Sequence, residues 1–147
     1  MPYAKFEDTG ILIWILALNL LAAAGIGILT HFIYPALAQK ASELVAVKIN
    51  EGLWVFPRAI FCNILIFAAV HMWKKLCSPN NIIGLIFATA VFVMCGFEHC
   101  IANAFYFGCA FNPELKIINF IILNILGNTI GGLLAYKTVK YINKDLG

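Results

Sequence analysis

Two long stretches almost free of charge limit what this chain can become. Between Asp8 and Lys40 there is no Asp, Glu, Lys or Arg, and between Lys75 and Glu114 Glu98 is the sole one. Over 147 residues the chain is 63% hydrophobic and 12% charged, where a soluble domain carries about 25% charge. The surplus apolar surface has to face lipid.

Four apolar segments follow, at residues 11–33, 54–73, 82–112 and 117–138. Each can cross a hydrocarbon layer of roughly 30 Å. The third is too long for one straight span and is interrupted at Gly96, so a broken helix is expected there. The expected fold is all-α: a polytopic membrane protein with four transmembrane helices, forming a single membrane domain over residues 1–147. The first segment is too long for a signal peptide and lacks a basic leader and a small-residue cleavage site.

The loops give an orientation. With four spans, both termini and the 74–81 loop share one side, which holds Lys5, Lys74, Lys75, Lys137, Lys140 and Lys144. The other side holds Lys40, Lys48, Lys116 and Arg58. The excess of basic residues predicts cytoplasmic termini in an inner (plasma) membrane. Pro35 and Pro113 are expected to close helices on the outer side. Ser78-Pro79-Asn80-Asn81 reads as a turn ending in a helix cap.

Several function classes drop out. A net charge of +3, scattered along the chain, gives no basic patch for nucleic acid. Neither a nucleophile–base pair nor metal-ligand spacing is present, so an enzyme is not expected. Cys62, Cys95, Cys100 and Cys109 lie in apolar spans and Cys77 in a loop, with no Cys-x-x-Cys pair. They read as small buried hydrophobes. His31, His71 and His99 sit at different depths, which does not suit paired haem ligands. No cofactor is expected, and His31 and His71 read as interfacial residues.

The stretch Gly96-Phe97-Glu98-His99-Cys100-Ile101-Ala102-Asn103 is different. It puts a carboxyl, an imidazole and an amide in mid-span, at a cost of several kcal/mol unless they face protein or water. Gly96 supplies backbone freedom for a break. Broken helices at membrane depth occur where freed backbone groups line a cavity. Asn103 follows His99 by four residues and would share its face if that turn were helical. A histidine titrates near neutral pH and is the natural proton partner for a small anion. Glu98 reads first as a structural acceptor at the break. Asn63 and Asn103 read either as pore groups or as ties between helices.

The segment from Phe92 through Gly96-Phe97-Glu98-His99 to Asn103 resembles the signature of the formate–nitrite transporter family. Gly127-Asn128-Thr129-Ile130-Gly131-Gly132 is similar to that family's last-span motif, and Arg58-Ala59-Ile60-Phe61-Cys62-Asn63 to its fourth-span motif. Trp14 and Asn19 fit its third span loosely. The resemblance implies a pentameric, aquaporin-like channel for small monovalent anions and their conjugate acids, of the formate, nitrite or hydrosulfide class. It implies a central pore histidine at His99 and a hydrophobic constriction at Phe92. It places polar groups near the histidine at Asn63 and Asn103, beside Glu98. Lys48 is the nearest match to the lysine that draws anions into the vestibule.

The resemblance covers the family's spans three to six, its second repeat plus one helix. Ile122, Leu123 and Asn124 stand where the family usually has Pro-Val-Thr. A partial or truncated channel is the expectation, working with protons and its small anion in a lipid bilayer. The alternative is a non-transporting membrane assembly subunit or degenerate fragment. Gly127 and Gly131 form a small-xxx-small pair suited to close helix packing, through which several chains are expected to associate.

Overall fold

A computed structural model describes residues 9–76 and 81–145. Every regular element in it is helical. Six α-helices follow in order: α1 (Thr9–Ile33), α2 (Pro35–Lys48), α3 (Val55–Leu76), α4 (Asn81–Met94), α5 (Cys100–Ala110) and α6 (Leu115–Asp145). A short 3-10 turn, Gly52–Trp54, leads into α3. The turn expected at 78–81 and Cys77 lie outside the described residues, apart from Asn81 at the start of α4.

Three helical stretches are long and apolar enough to cross a membrane: Gly10–Ile33, Gly52–Lys74 and Leu115–Ile142. The remaining apolar region is split into Ile82–Met94 and Cys100–Ala110. At 1.5 Å per residue, α4 is about 21 Å long and α5 about 16 Å, so neither half spans the hydrocarbon alone. The protein is therefore a multi-pass membrane protein built entirely from helices, the only open structures that satisfy every backbone group in lipid. Large apolar side chains remain uncovered along α1, including Trp14 at 70% and Leu21 at 69% exposure. In water such a face would aggregate; in a bilayer it is solvated.

The chain divides into two compact units. One contains α1, α2 and residues 101–114, hence nearly all of α5. Its α1–α5 packing is set by two glycines facing each other's helices. A Cβ on Gly27 would collide with the carbonyl of Phe105 and the amide of Cys109, and one on Gly108 would collide with the carbonyl of Ala24. The backbones therefore approach closely, as small residues allow in membranes. At the end of α1, His31 Nδ1 donates to the carbonyl of Cys109 at 2.9 Å. Its ring packs on Phe32 and Phe111 at centroid distances of 5.1 and 5.3 Å. His31 is thus a helix tie in an aromatic cluster.

The helix α2 corrects the sequence reading, which left residues 35–48 as a loop. Pro35 opens α2 after a break at Tyr34 instead of only closing α1. Proline suits the first helical position because its missing N–H would have no acceptor there. Ala38, Ala41 and Val45 are the buried stripe of α2, at the three- and four-residue spacing of one helix face.

The second unit contains residues 49–100 and α6, hence α3 and α4. Here α3 and α6 pack along their length, again through glycine. A Cβ on Gly131 would strike the carbonyl of Ile60, and one on Gly127 would crowd Ala59 and the carbonyl of Phe56. This pair was expected to join separate chains; it is used instead against the chain's own α3. Arg58, in the second turn of α3, pairs with Glu51 at 2.7 Å. His71 stacks on Phe67 at 6.0 Å.

Candidate functional site

The site is assembled around the break that separates α4 from α5. The sequence Val93-Met94-Cys95-Gly96-Phe97 ends α4 in a glycine-based cap. Gly96 has φ +64, a backbone conformation that L residues other than glycine adopt at a cost. The Phe97 amide donates to the Phe92 carbonyl at 3.0 Å and the Gly96 amide to the Val93 carbonyl at 3.2 Å. These two bonds make a Schellman closure, which satisfies carbonyls that a helix end otherwise leaves open. Cys95 donates to Val91 at 2.9 Å. The helical hydrogen bonding stops there, and α5 begins at Cys100.

What holds the start of α5 comes from α6. Asn128 Oδ1 accepts the Cys100 amide at 2.9 Å, so a side chain far along the sequence caps this helix. Asn128 Nδ2 donates both to the carbonyl of Ala59 and to that of Glu98, each at 2.8 Å. One turn earlier, Asn124 Nδ2 donates to the same Glu98 carbonyl at 2.8 Å. Both asparagines are buried. In lipid an unpaired amide there would cost several kcal/mol, so this network is what lets a non-helical segment exist at that depth.

The residues expected to form the site fall into two groups. Phe92, Glu98, His99 and Asn63 belong to the unit of α3, α4 and α6. His99 is half-buried and lies just before α5, its ring 6.4 Å from that of Phe92 at 55°. Phe97 stacks on Phe61 of α3 at 6.1 Å. Glu98 is 1% exposed, the largest fully buried side chain among the described residues. Asn63 donates to the Asn128 carbonyl at 2.5 Å, the tie between helices that was one of its two readings. Asn103 and Lys48 belong to the other unit. Asn103 is buried within α5, and Lys48 is half-buried in the last turn of α2. His99 directly precedes α5, and Asn103 lies within it.

Two residues that do most to shape the break, Asn124 and Asn128, were absent from the expected pore set. The signal was present: two asparagines four apart on an apolar helix share one face and require a common polar partner. Among the described residues, no group of three His, Cys, Asp or Glu is placed to hold a metal ion. Cys62, Cys100 and Cys109 are buried, whereas Cys95 is exposed.

The polar groups at the break are largely tied to one another. The carbonyls of Val91, Phe92 and Val93 are met by the amides that follow them, and the Glu98 carbonyl by two side-chain amides. The first turn of α5 carries the positive end of a helix dipole, and of its leading amides, which have no intrahelical acceptor, that of Cys100 is taken by Asn128.

The formate channel FocB of Escherichia coli (strain K12) is 32% identical over a stretch covering 50% of this chain and 35% of the channel. The chain thus matches about a third of that relative's length. No solved structure matches the chain. The sequence model of the formate/nitrite transporter family matches residues 9–142, nearly the whole sequence, and on that match the chain belongs to the formate/nitrite transporter family.

Proposed function

We propose that this chain lines a membrane pathway for small monovalent anions and their conjugate acids, of the formate, nitrite or hydrosulfide class. The observation that carries the reading is the break at Gly96, where the carbonyls of Val91, Phe92 and Val93 are met by the amides that follow them and the backbone turns helical again directly after His99, whose ring stands 6.4 Å from that of Phe92. A bare monovalent anion in a low-dielectric neck faces a barrier on the order of 20 kcal/mol by idealised Born solvation. Two effects lower it. Fixed N–H groups replace part of the hydration shell. A proton partner neutralises the anion so that the acid crosses.

His99 is the proton or hydrogen-bond partner in this reading, and Phe92 forms the constriction. Glu98 supports the break, Asn63 and Asn103 supply polar contacts, and Lys48 concentrates the anion. The chain works as a single membrane domain, within a homo-oligomer, in the inner (plasma) membrane with cytoplasmic termini. Family membership supports a pentamer; the glycine faces do not, since Gly127 and Gly131 are taken by α3.

The test is uptake of radiolabelled formate and nitrite into liposomes holding the purified chain, over a pH series. Saturable uptake above protein-free liposomes, competed by unlabelled anion, supports the pathway. A correctly inserted, helical protein giving no uptake of either would overturn it and favour an assembly role.

A further inference from the structure

Backbone polarity at the break decides what can approach it. Carbonyl oxygens repel an anion; amides attract it. The carbonyl of Glu98 directly precedes His99, and the two share one peptide plane. That peptide is trans, as are all in the described chain, so its C=O and N–H point in opposite directions. Wherever the Glu98 oxygen is held, the His99 amide faces the other way.

The oxygen is held against α6 at two points. A carbonyl can accept two hydrogen bonds, and this one receives Asn128 Nδ2 and Asn124 Nδ2, both at 2.8 Å. One donor leaves a peptide plane able to swing about the bond; two donors from successive turns of one helix fix its rotation. Asn128 has further work, capping Cys100 and binding Ala59. Removing it would disturb three segments together. Asn124 allows a cleaner test.

We infer that Asn124 is a positioning residue for anion passage: with Asn128 it pins the Glu98 carbonyl to α6 and so aims the His99 amide at the anion. This rests on the channel reading above and adds to it a residue that stands where the family usually has another. The ligand class is a small monovalent anion with an oxygen or sulfur acceptor, met by a backbone amide and not only by the imidazole.

The experiment uses the full chain in liposomes, with Asn124→Leu and Asn124→Asp beside the unchanged protein and radiolabelled formate as probe. Leucine keeps the volume and removes the donor. The half-saturation concentration should rise about threefold, the worth of an average interhelical hydrogen bond in a membrane, with little change in maximal rate. Aspartate keeps shape and acceptor but donates only when protonated. Its uptake, as a ratio to the unchanged protein, should match at acid pH and fall to the leucine value or below it at alkaline pH, where the ionised carboxylate also repels the anion. Glu98 and His99 at the break, Arg58 paired with Glu51, and the lysines at the ends of α3 and α6 are the same in all three proteins. Their titration therefore cancels in the leucine ratio, which adds no charge, whereas the ionised carboxylate of Asn124→Asp would couple to Glu98 and His99, so the aspartate series is read for direction only. Unaltered half-saturation for both variants at every pH would overturn the inference while leaving the channel reading intact. Absence of uptake by the unchanged protein would instead sink the channel reading. In that event the ¹⁵N–¹H resonance of His99 decides the positioning alone: it should shift in Asn124→Leu, and an unmoved resonance would overturn the assignment.

Discussion

Asn63 donates its side-chain amide to the backbone carbonyl of Asn128 at 2.5 Å, across 65 residues of sequence. Gly132 leaves the space for it, since a Cβ there would stand 2.8 Å from Asn63 Nδ2. Asn63→Leu should therefore lower stability by about 0.6–1.7 kcal/mol, the range for interhelical hydrogen bonds in membranes. Gly132→Ala should displace the same amide. Because both act on one contact, the double variant should lose less than the sum of the two. Thermal unfolding in detergent checks this; strictly additive losses would mean the two residues do not share the contact.

Gly131 sets the distance between α3 and α6. Its Cβ in Gly131→Ala would meet the Ile60 carbonyl, a backbone atom that cannot move aside without shifting a helix. The expected loss is about 1–3 kcal/mol, as for other overpacked sites. A methyl group added at Gly84 would meet nothing within 4 Å, so Gly84→Ala serves as the neutral control in the same melting series.

Gly96 poses the opposite problem. Space is open around it, yet its φ is +64. Gly96→Ala should cost about 1–2 kcal/mol from backbone conformation alone. Gly96→Asn should cost less, since asparagine is the usual second choice at this helix-end position. Equal losses for the two substitutions would argue against conformational strain as the cause.

His99 is half-buried between the end of one half-helix and the start of the next. His99→Asn keeps hydrogen bonding but cannot titrate. Formate uptake should lose much of its dependence on pH between about pH 5 and 8, the range in which a histidine changes charge, while folded yield stays close to normal. A structural histidine would behave differently, because a buried partner left unsatisfied costs about 1–3 kcal/mol and lowers yield. An unchanged pH profile with equal protein incorporated would leave His99 with the structural role.

Much of the architecture was legible because lipid imposes a simple rule. Long charge-free runs must be helices that satisfy their own backbone, and Gly96 beside Glu98 marked where one such helix had to stop. The helix α2 was missed because its stripe of Ala38, Ala41 and Val45 is weakly apolar and is interrupted by Gln39, Lys40, Ser42 and Glu43. Its composition reads as loop until the three-residue spacing is noticed. Partners across the fold were harder to read. Sequence placed Gly127 and Gly131 on one face but could not say whether another chain or α3 would cover it. Nor could it tell that Asn124 and Asn128 reach back to Glu98 and Cys100, since long-range hydrogen bonds leave only a spacing as their trace. The pore set was chosen from the broken segment itself, whereas the residues that shape the break sit on the next helix.

The two sides of the break are completed in different ways, and this has a consequence for how the protein is made. The end of α4 is closed by the amides that follow it and can form as soon as Phe97 has been synthesised. The start of α5 is capped by Asn128, which leaves the ribosome 28 residues after Cys100. During insertion, α5 must wait at membrane depth with its leading amide unmet until α6 arrives. The capped start of α5 is therefore the last part of the break to be completed, and a nascent chain stalled before Asn128 carries the histidine without the cap beside it.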